Sequence, residues 1–137
     1  NNWIEKKPTD LAVIIDLLNQ GSANKLPILV RICAGDVDND LSVIVKSGAD
    51  GVILVGDKIP IEAALVSSRN YKKQITILAE TNKLDYQSSL KLLALGASGI
   101  FLQNTCSGNE LKVFGIKLSK AVTTSKLCIL SLTCFPL

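Results

Sequence analysis

The stretch Ser47-Gly48-Ala49-Asp50-Gly51-Val52-Ile53-Leu54 decides most of the fold, and it recurs as Leu95-Gly96-Ala97-Ser98-Gly99-Ile100-Phe101-Leu102. Each copy is typical of a helix end, a glycine turn and a short buried strand. Gly48 and Gly96 are expected to take the left-handed conformation that ends a helix, because a side chain would resist it. Two interpretations stay open. Either the copies share an ancestor, or any joint between a helix and a buried strand favours this chemistry.

Apolar strands alternate with amphipathic helices on both sides of these joints. The strands are predicted at residues 27–33, 51–55, 75–79, 99–102 and 127–132. The helices are predicted at residues 8–21, 36–48, 61–73, 85–95 and 107–122. Short apolar strands connected by helices require right-handed crossovers and parallel pairing. The predicted fold class is therefore α/β, with a parallel sheet of about five strands and its strand ends on one edge.

Composition limits the kinds of protein this can be. The chain has 137 residues, so residues 1–137 are expected to form a single α/β domain. Its net charge is only +3 and its lysines are scattered without interleaved aromatic residues, which argues against a nucleic-acid partner. No apolar run reaches the roughly 18 residues of a membrane-spanning helix, so no membrane span is expected.

The cysteines predict no metal site. Cys33, Cys106, Cys128 and Cys134 lack Cys-x-x-Cys spacing, and the chain contains no histidine. Cys33 stands in an apolar run, where a cysteine is usually a small buried hydrophobe. Reduced, structural thiols indicate an intracellular location, in the cytoplasm or an organelle interior. A chain that begins at Asn1 and has no methionine is expected to be a piece of a longer protein.

One resemblance covers roughly residues 8–104. The stretch 26–31, through Asp36-Val37-Asp38 to residues 48–54, resembles (β/α)8 barrels of the thiamine phosphate synthase type and is similar to the flavin-binding barrel of glutamate synthase. The resemblance implies half of a barrel and a phosphate-bearing ligand or FMN, although no cofactor is certain. The remainder of a parent chain or a second copy is then expected to cover the open edges of the sheet.

The loops of this chain depart from the barrel pattern, in which glycine-rich loops after the late strands hold phosphate. Gly56-Asp57-Lys58 places a carboxylate after the second strand, and Glu80-Thr81-Asn82-Lys83 contains no glycine. The loop after the fourth strand leads into a helix N-terminus, which makes it the best anion candidate. The predicted anion-binding residues are Asn104, Thr105, Ser107, Gly108 and, from the first strand, Arg31.

A second resemblance competes with the first. Residues 96–111 resemble the end of a response-regulator receiver domain, which has a doubly wound, flavodoxin-like sheet. Gly56 then stands at the phospho-acceptor aspartate position, Gln103 replaces the lysine that senses the phosphoryl group, and residues 5–6 fall where the acidic metal-binding pair belongs. This resemblance implies a pseudo-receiver that signals through protein contacts, without phosphorylation.

Three residues are candidates for catalysis, and catalysis itself stays uncertain. Asp57 with Lys58 is either an acid–base couple or an exposed ion pair, and Glu80 is either a desolvated carboxylate or a solvated one. Arg31 either pairs with a carboxylate in a barrel-like interior, reaching an anion, or marks an edge strand that faces water. Asp36 is interpreted as a helix cap. The predicted function is a non-catalytic or weakly ligand-binding module within a larger protein.

Overall fold

Four strands and five α-helices alternate along residues 8–23, 26–82, 85–103 and 107–124, the part of the chain that this computed structural model describes. The elements are α1 Pro8–Gly21, β1 Leu29–Cys33, α2 Val37–Ser47, β2 Gly51–Val55, α3 Ile61–Ser67, β3 Thr76–Thr81, α4 Tyr86–Leu95, β4 Gly99–Leu102 and α5 Gly108–Thr124. This alternation confirms the predicted α/β class. The strand predicted at 127–132 lies outside the described residues.

The described strands form one parallel sheet in the order β1-β2-β3-β4. One row of paired residues runs across it, from Arg31 to Ile53, then to Leu78 and to Gly99. Parallel pairing is therefore confirmed, including the pairing of the strands that contain Ile53 and Ile77. The spatial order follows the chain order, as in consecutive units of a (β/α)8 barrel. A doubly wound sheet contains a reversal of order, which does not occur among these four strands.

The main hydrophobic core lies between the helices and one face of the sheet. The fully buried strand residues of this core all point to that face: Val52, Leu54, Ile77 and Ala79. The helices supply Leu41, Ile44, Leu65 and Leu92 from the other side. The helices pack side by side in chain order, α1 on α2, α2 on α3, α3 on α4 and α4 on α5. They therefore form a single layer on one side of the sheet.

The opposite face of the sheet is covered by none of the described helices. Two glycines on this face are overlain by leucines of the neighbouring strands. A Cβ atom on Gly51 would lie 2.6 Å from Cδ2 of Leu29, and one on Gly99 would lie 3.0 Å from Cδ2 of Leu78. Leu29 and Phe101, at the two outer strands, remain 40% and 38% exposed. We call this surface the open face.

The predicted cap at Asp36 and the predicted helix-ending glycines at positions 48 and 96 are confirmed. The Asp36 carboxylate accepts a hydrogen bond of 3.3 Å from the Asn39 N–H, which caps α2. Gly48 ends the same helix at φ 82°, and Gly96 follows α4 at φ 123°. Both angles lie in the region that an L side chain resists, so these glycines are needed for the chain to turn from helix to strand.

Two expectations are wrong. The helix predicted at 61–73 ends at Ser67 and tightens into a 3₁₀ turn at Ser68–Tyr71, where the Ser68 hydroxyl donates to the Leu65 carbonyl. This tightening turns the chain into β3, since the N–H groups of residues 74 and 75 both donate to the Tyr71 carbonyl. Cys33 is exposed rather than buried, because it ends an outer strand on the open face.

Candidate functional site

An ion pair crosses the open face from β1 to β3. Arg31 shares a face with Ile53 and Leu78, and Glu80 lies on that same face two residues beyond Leu78. The Arg31 side chain therefore passes over β2 to reach Glu80. Its Nε lies 2.6 Å from Oε2 of Glu80 and its Nη2 lies 2.7 Å from Oε1. Both carboxylate oxygens are engaged, in the two-pronged geometry that gives strong charge-assisted hydrogen bonds.

The two partners differ sharply in exposure. The side chain of Glu80 is 4% exposed, whereas that of Arg31 is 49% exposed. Hydrogen bonding to Glu80 raises the pKa of Arg31, so the guanidinium stays charged at every physiological pH. A guanidinium has five N–H groups, and Glu80 engages two of them. The other three have no hydrogen-bond partner among the described residues. Glu80 thus fixes the orientation of a cation that remains accessible on the open face.

Both sequence interpretations of Arg31 apply. It pairs with a carboxylate on the face that would line a barrel, and β1 is an outer strand of the described sheet. Glu80 is buried, in agreement with its interpretation as a desolvated carboxylate. Both oxygens of Glu80 accept a hydrogen bond from Arg31. This arrangement suits positioning better than proton transfer.

Asp57 and Lys58 are not brought together. Both side chains are exposed in the loop after β2, and neither forms an ion pair within the part of the chain that the structure describes. The backbone instead shapes this loop, because the Asp57 N–H donates to the Ile59 carbonyl over 3.2 Å. The exposed ion pair expected from the sequence is therefore wrong, and the acid–base couple lacks the contact it requires.

The N-terminus of α5 is closed by its own side chains. The Ser107 hydroxyl accepts from the Glu110 N–H at 3.2 Å, and the Glu110 carboxylate accepts from the Ser107 N–H at 2.9 Å. This reciprocal pair forms a capping box. The hydrogen bond from the Ser107 backbone lowers the pKa of Glu110, so a negative charge stays at this terminus. Gly108 begins the helix, while Asn104 and Thr105 lie outside the described residues.

A cleft of about 550 Å³ lies next to this helix start, between α4 and α5. Its lining is mostly apolar, with Tyr86 and Phe114 at its floor, and its rim carries Asp85 and Glu110 together with Lys117. Two carboxylates against one ammonium make the rim unfavourable for an anion. The cleft and the capping box together give the predicted anion site around Ser107 and Gly108 less electrostatic support than Arg31 has.

Two features were missed from the sequence. The hydroxyl of Ser89 is buried in α4 without a hydrogen-bond partner in the described structure. The helix α1 exposes four large apolar side chains: Val13, Ile14, Leu17 and Leu18. The signal for this second feature is visible in retrospect, because apolar residues occupy too wide an arc of α1 for one buried face.

No protein-family model and no curated protein sequence matches this chain. The site must therefore be interpreted from its own geometry. No cluster of metal-binding side chains occurs among the described residues. None of the helices in the described part of the chain is long and apolar enough to span a membrane. What the geometry offers is one oriented guanidinium on an otherwise apolar sheet face, which can receive the oxygen of a phosphate or a carboxylate.

Proposed function

We propose that this chain is a non-catalytic, weakly ligand-binding module derived from the phosphate-binding (β/α)8-barrel family, acting as part of a larger protein. The observation that carries the proposal is the one-sided helix layer. In a barrel, helices cover only the outer face of the sheet, and the inner face carries the side chains that fill the interior. In a doubly wound sheet, helices cover both faces. The described helices all lie on one face, and the strands follow chain order.

The Arg31–Glu80 pair supplies the ligand contact in this proposal. The open face corresponds to the barrel interior, and Glu80 lies near the carboxyl end of β3, the end at which barrels hold their ligands. The ligand is expected to carry a phosphate or carboxylate group, which the exposed N–H groups of Arg31 bind. Both Glu80 oxygens accept from Arg31, and Asp57 and Lys58 form no ion pair with each other, so the three candidates for catalysis lack the contacts that proton transfer requires. Binding without turnover follows from this arrangement.

Phosphate and FMN titrations followed by amide and arginine Nε–H NMR signals test the proposal. Binding of about millimolar affinity is expected, with the largest shifts at Arg31 and its neighbours on β1 and β2. The variant Arg31→Gln should abolish these shifts. The matched control is Lys91→Gln, which removes the other described ion-paired cation, bonded to Glu62 on the helix layer. The control should leave binding unchanged.

Other outcomes would contradict the proposal. Equal loss of binding in both variants would indicate general electrostatic attraction rather than a site. Shifts confined to Ser107 and Gly108 would move the anion to the N-terminus of α5 and leave Arg31 with a structural role. Saturating FMN without any shift on the open face would remove ligand binding from the proposed function.

A further inference from the structure

Both outer strands of the described sheet have unpaired backbone groups. In β1, the Ala34 N–H donates to Val55 and the Ile28 carbonyl accepts from Asp50, so the even-numbered residues face β2. The odd-numbered residues Leu29 and Cys33, and Arg31 between them, direct their backbone groups away from the sheet. In β4, the Gln103 N–H donates to the Thr81 carbonyl, so the odd-numbered residues face β3 and the backbone groups of Ile100 and Leu102 point outward. Such edges accept a further parallel strand.

The first and last helices also expose apolar side chains. On α1 these are Val13, Ile14, Leu17 and Leu18, each at least half exposed, and on α5 they are Val113 and Ile116, each about half exposed. We call these two surfaces the α1 stripe and the α5 stripe. They flank opposite ends of the helix layer, beyond β1 and beyond β4 respectively. Each stripe therefore lies beside one unpaired strand edge.

The two helices carry opposite charge. The helix α1 contains two acidic residues, Asp10 and Asp16, and no basic residue. The helix α5 contains Glu110 and three lysines, Lys112, Lys117 and Lys120, so its net charge is positive. Lys117 and Lys120 fall on the same side of the helix as the α5 stripe, because Lys117 comes four residues after Val113 and Lys120 four residues after Ile116. Complementary charge around complementary apolar stripes favours one helix as the partner of the other.

We propose that a second copy of this chain covers the open face, with β4 of each copy pairing in parallel with β1 of the other and the α1 stripe packing against the α5 stripe at both seams. The proposal rests on the half-barrel character argued above. A two-fold axis along the strands closes both seams at once, so no strand edge of the described sheet is left unpaired. Four strands from each copy make eight, the number whose interior is just filled by side chains.

The open face has the composition that such an interior requires. Leucine side chains overlie glycines of the neighbouring strands, so the large side chains occupy the space that the glycines leave. The charge of Arg31 is neutralised by Glu80 before the second copy arrives, and closure therefore buries no unpaired ion. The exposed side chains of Leu29 and Phe101 lie at the two edges of the sheet. Closure places Leu29 of each copy next to Phe101 of the other copy.

Mass in solution tests the proposal, measured by light scattering and sedimentation over a range of concentrations. The chain is expected to have twice its 14.7 kDa mass. Cys33→Pro removes one outward N–H from β1 while leaving the pairing of β1 with β2 intact, and it should yield a monomer. Cys33→Ser is the matched control, and it should remain a dimer even under reducing conditions, which also excludes a disulfide as the link.

A charge exchange tests the helix contact separately. Asp10→Lys and Lys117→Glu should each raise the dimer dissociation constant about tenfold, because each places like charges at both seams. The variant that combines the two should restore the affinity. Larger assemblies or filaments would overturn the closed two-fold arrangement. A wild-type monomer at every concentration would overturn the dimer, and protection of the Ile100 amide would then assign the β4 edge to residues 127–132.

Failure of this proposal is distinguishable from failure of the proposed function. A monomer that still binds phosphate through Arg31 keeps the ligand-binding module and removes only the second copy. A dimer that survives Cys33→Pro shows that association does not use the β1 edge, and it overturns the paired-strand arrangement directly.

Discussion

Replacing Arg31 by methionine should destabilise the protein, because it leaves a buried carboxylate without its partner. Methionine preserves much of the side-chain length but leaves the Glu80 carboxylate, which is 4% exposed, without its two hydrogen bonds. Removing one partner of a fully buried ion pair typically costs about 3–5 kcal/mol. Because Arg31 is half exposed, water can replace part of the lost contact, and we expect a loss of about 2 kcal/mol near pH 7.

Urea unfolding followed by circular dichroism at pH 7 measures this deficit. Lys91→Met is the control, because the Lys91–Glu62 pair is exposed, with 63% and 40% of the two side chains accessible. Its loss should be about 0.5 kcal/mol or less. Replacing Arg31 and Glu80 together by methionine should recover most of the stability. Equal deficits in the two single variants, or a double variant no more stable than Arg31→Met, would refute the reasoning.

Two further substitutions test local features by thermal unfolding. Gly48→Ala should cost about 1–2 kcal/mol, because the residue has φ 82°, although no atom lies within 4 Å of the added Cβ. Its control is Gly115→Ala within α5, where the added methyl group is equally unobstructed and should stabilise the protein by up to about 1 kcal/mol; equal effects at both sites would contradict the backbone argument. Ser89→Ala should raise stability by about 1 kcal/mol, since Ser89 is 1% exposed and its hydroxyl has no hydrogen-bond partner among the described residues. Destabilisation by Ser89→Ala would show that the hydroxyl has a role in the fold.

Local chemistry made most of the fold predictable. The Asp36 cap, the glycine at position 48 and the apolar run of β2 each depend on neighbours in sequence, and each was placed correctly. The end of α3 was not, because it depends on how Ser68 and Tyr71 direct the chain into β3. Residues that cap or terminate an element through adjacent groups are visible in the sequence, whereas the path between elements is not.

The candidate site was predictable only as separate residues. Arg31 was recognisable as a cation in an apolar strand, and Glu80 as a carboxylate directly after one. Their contact depends on the pairing of β1 with β2 and of β2 with β3, which sets both side chains on one face. The spacing of residues along the sequence does not reveal how the strands are paired. The absence of an ion pair between Asp57 and Lys58 was equally unpredictable from the sequence, because the side chains of adjacent loop residues need not point the same way.

The leucines that overlie glycines on the open face also constrain how this sequence can change. A methyl group at position 51 would collide with Leu29, which belongs to a different strand. Gly51→Ala should therefore be harmful alone and tolerated where residue 29 becomes smaller, and the same coupling should join Gly99 to Leu78. On this face, the side-chain volume that one position can accommodate depends on the residue at the neighbouring position of the next strand. Substitutions here are expected to accumulate as compensating pairs across the sheet, and a change at one position should be interpretable only together with its neighbour.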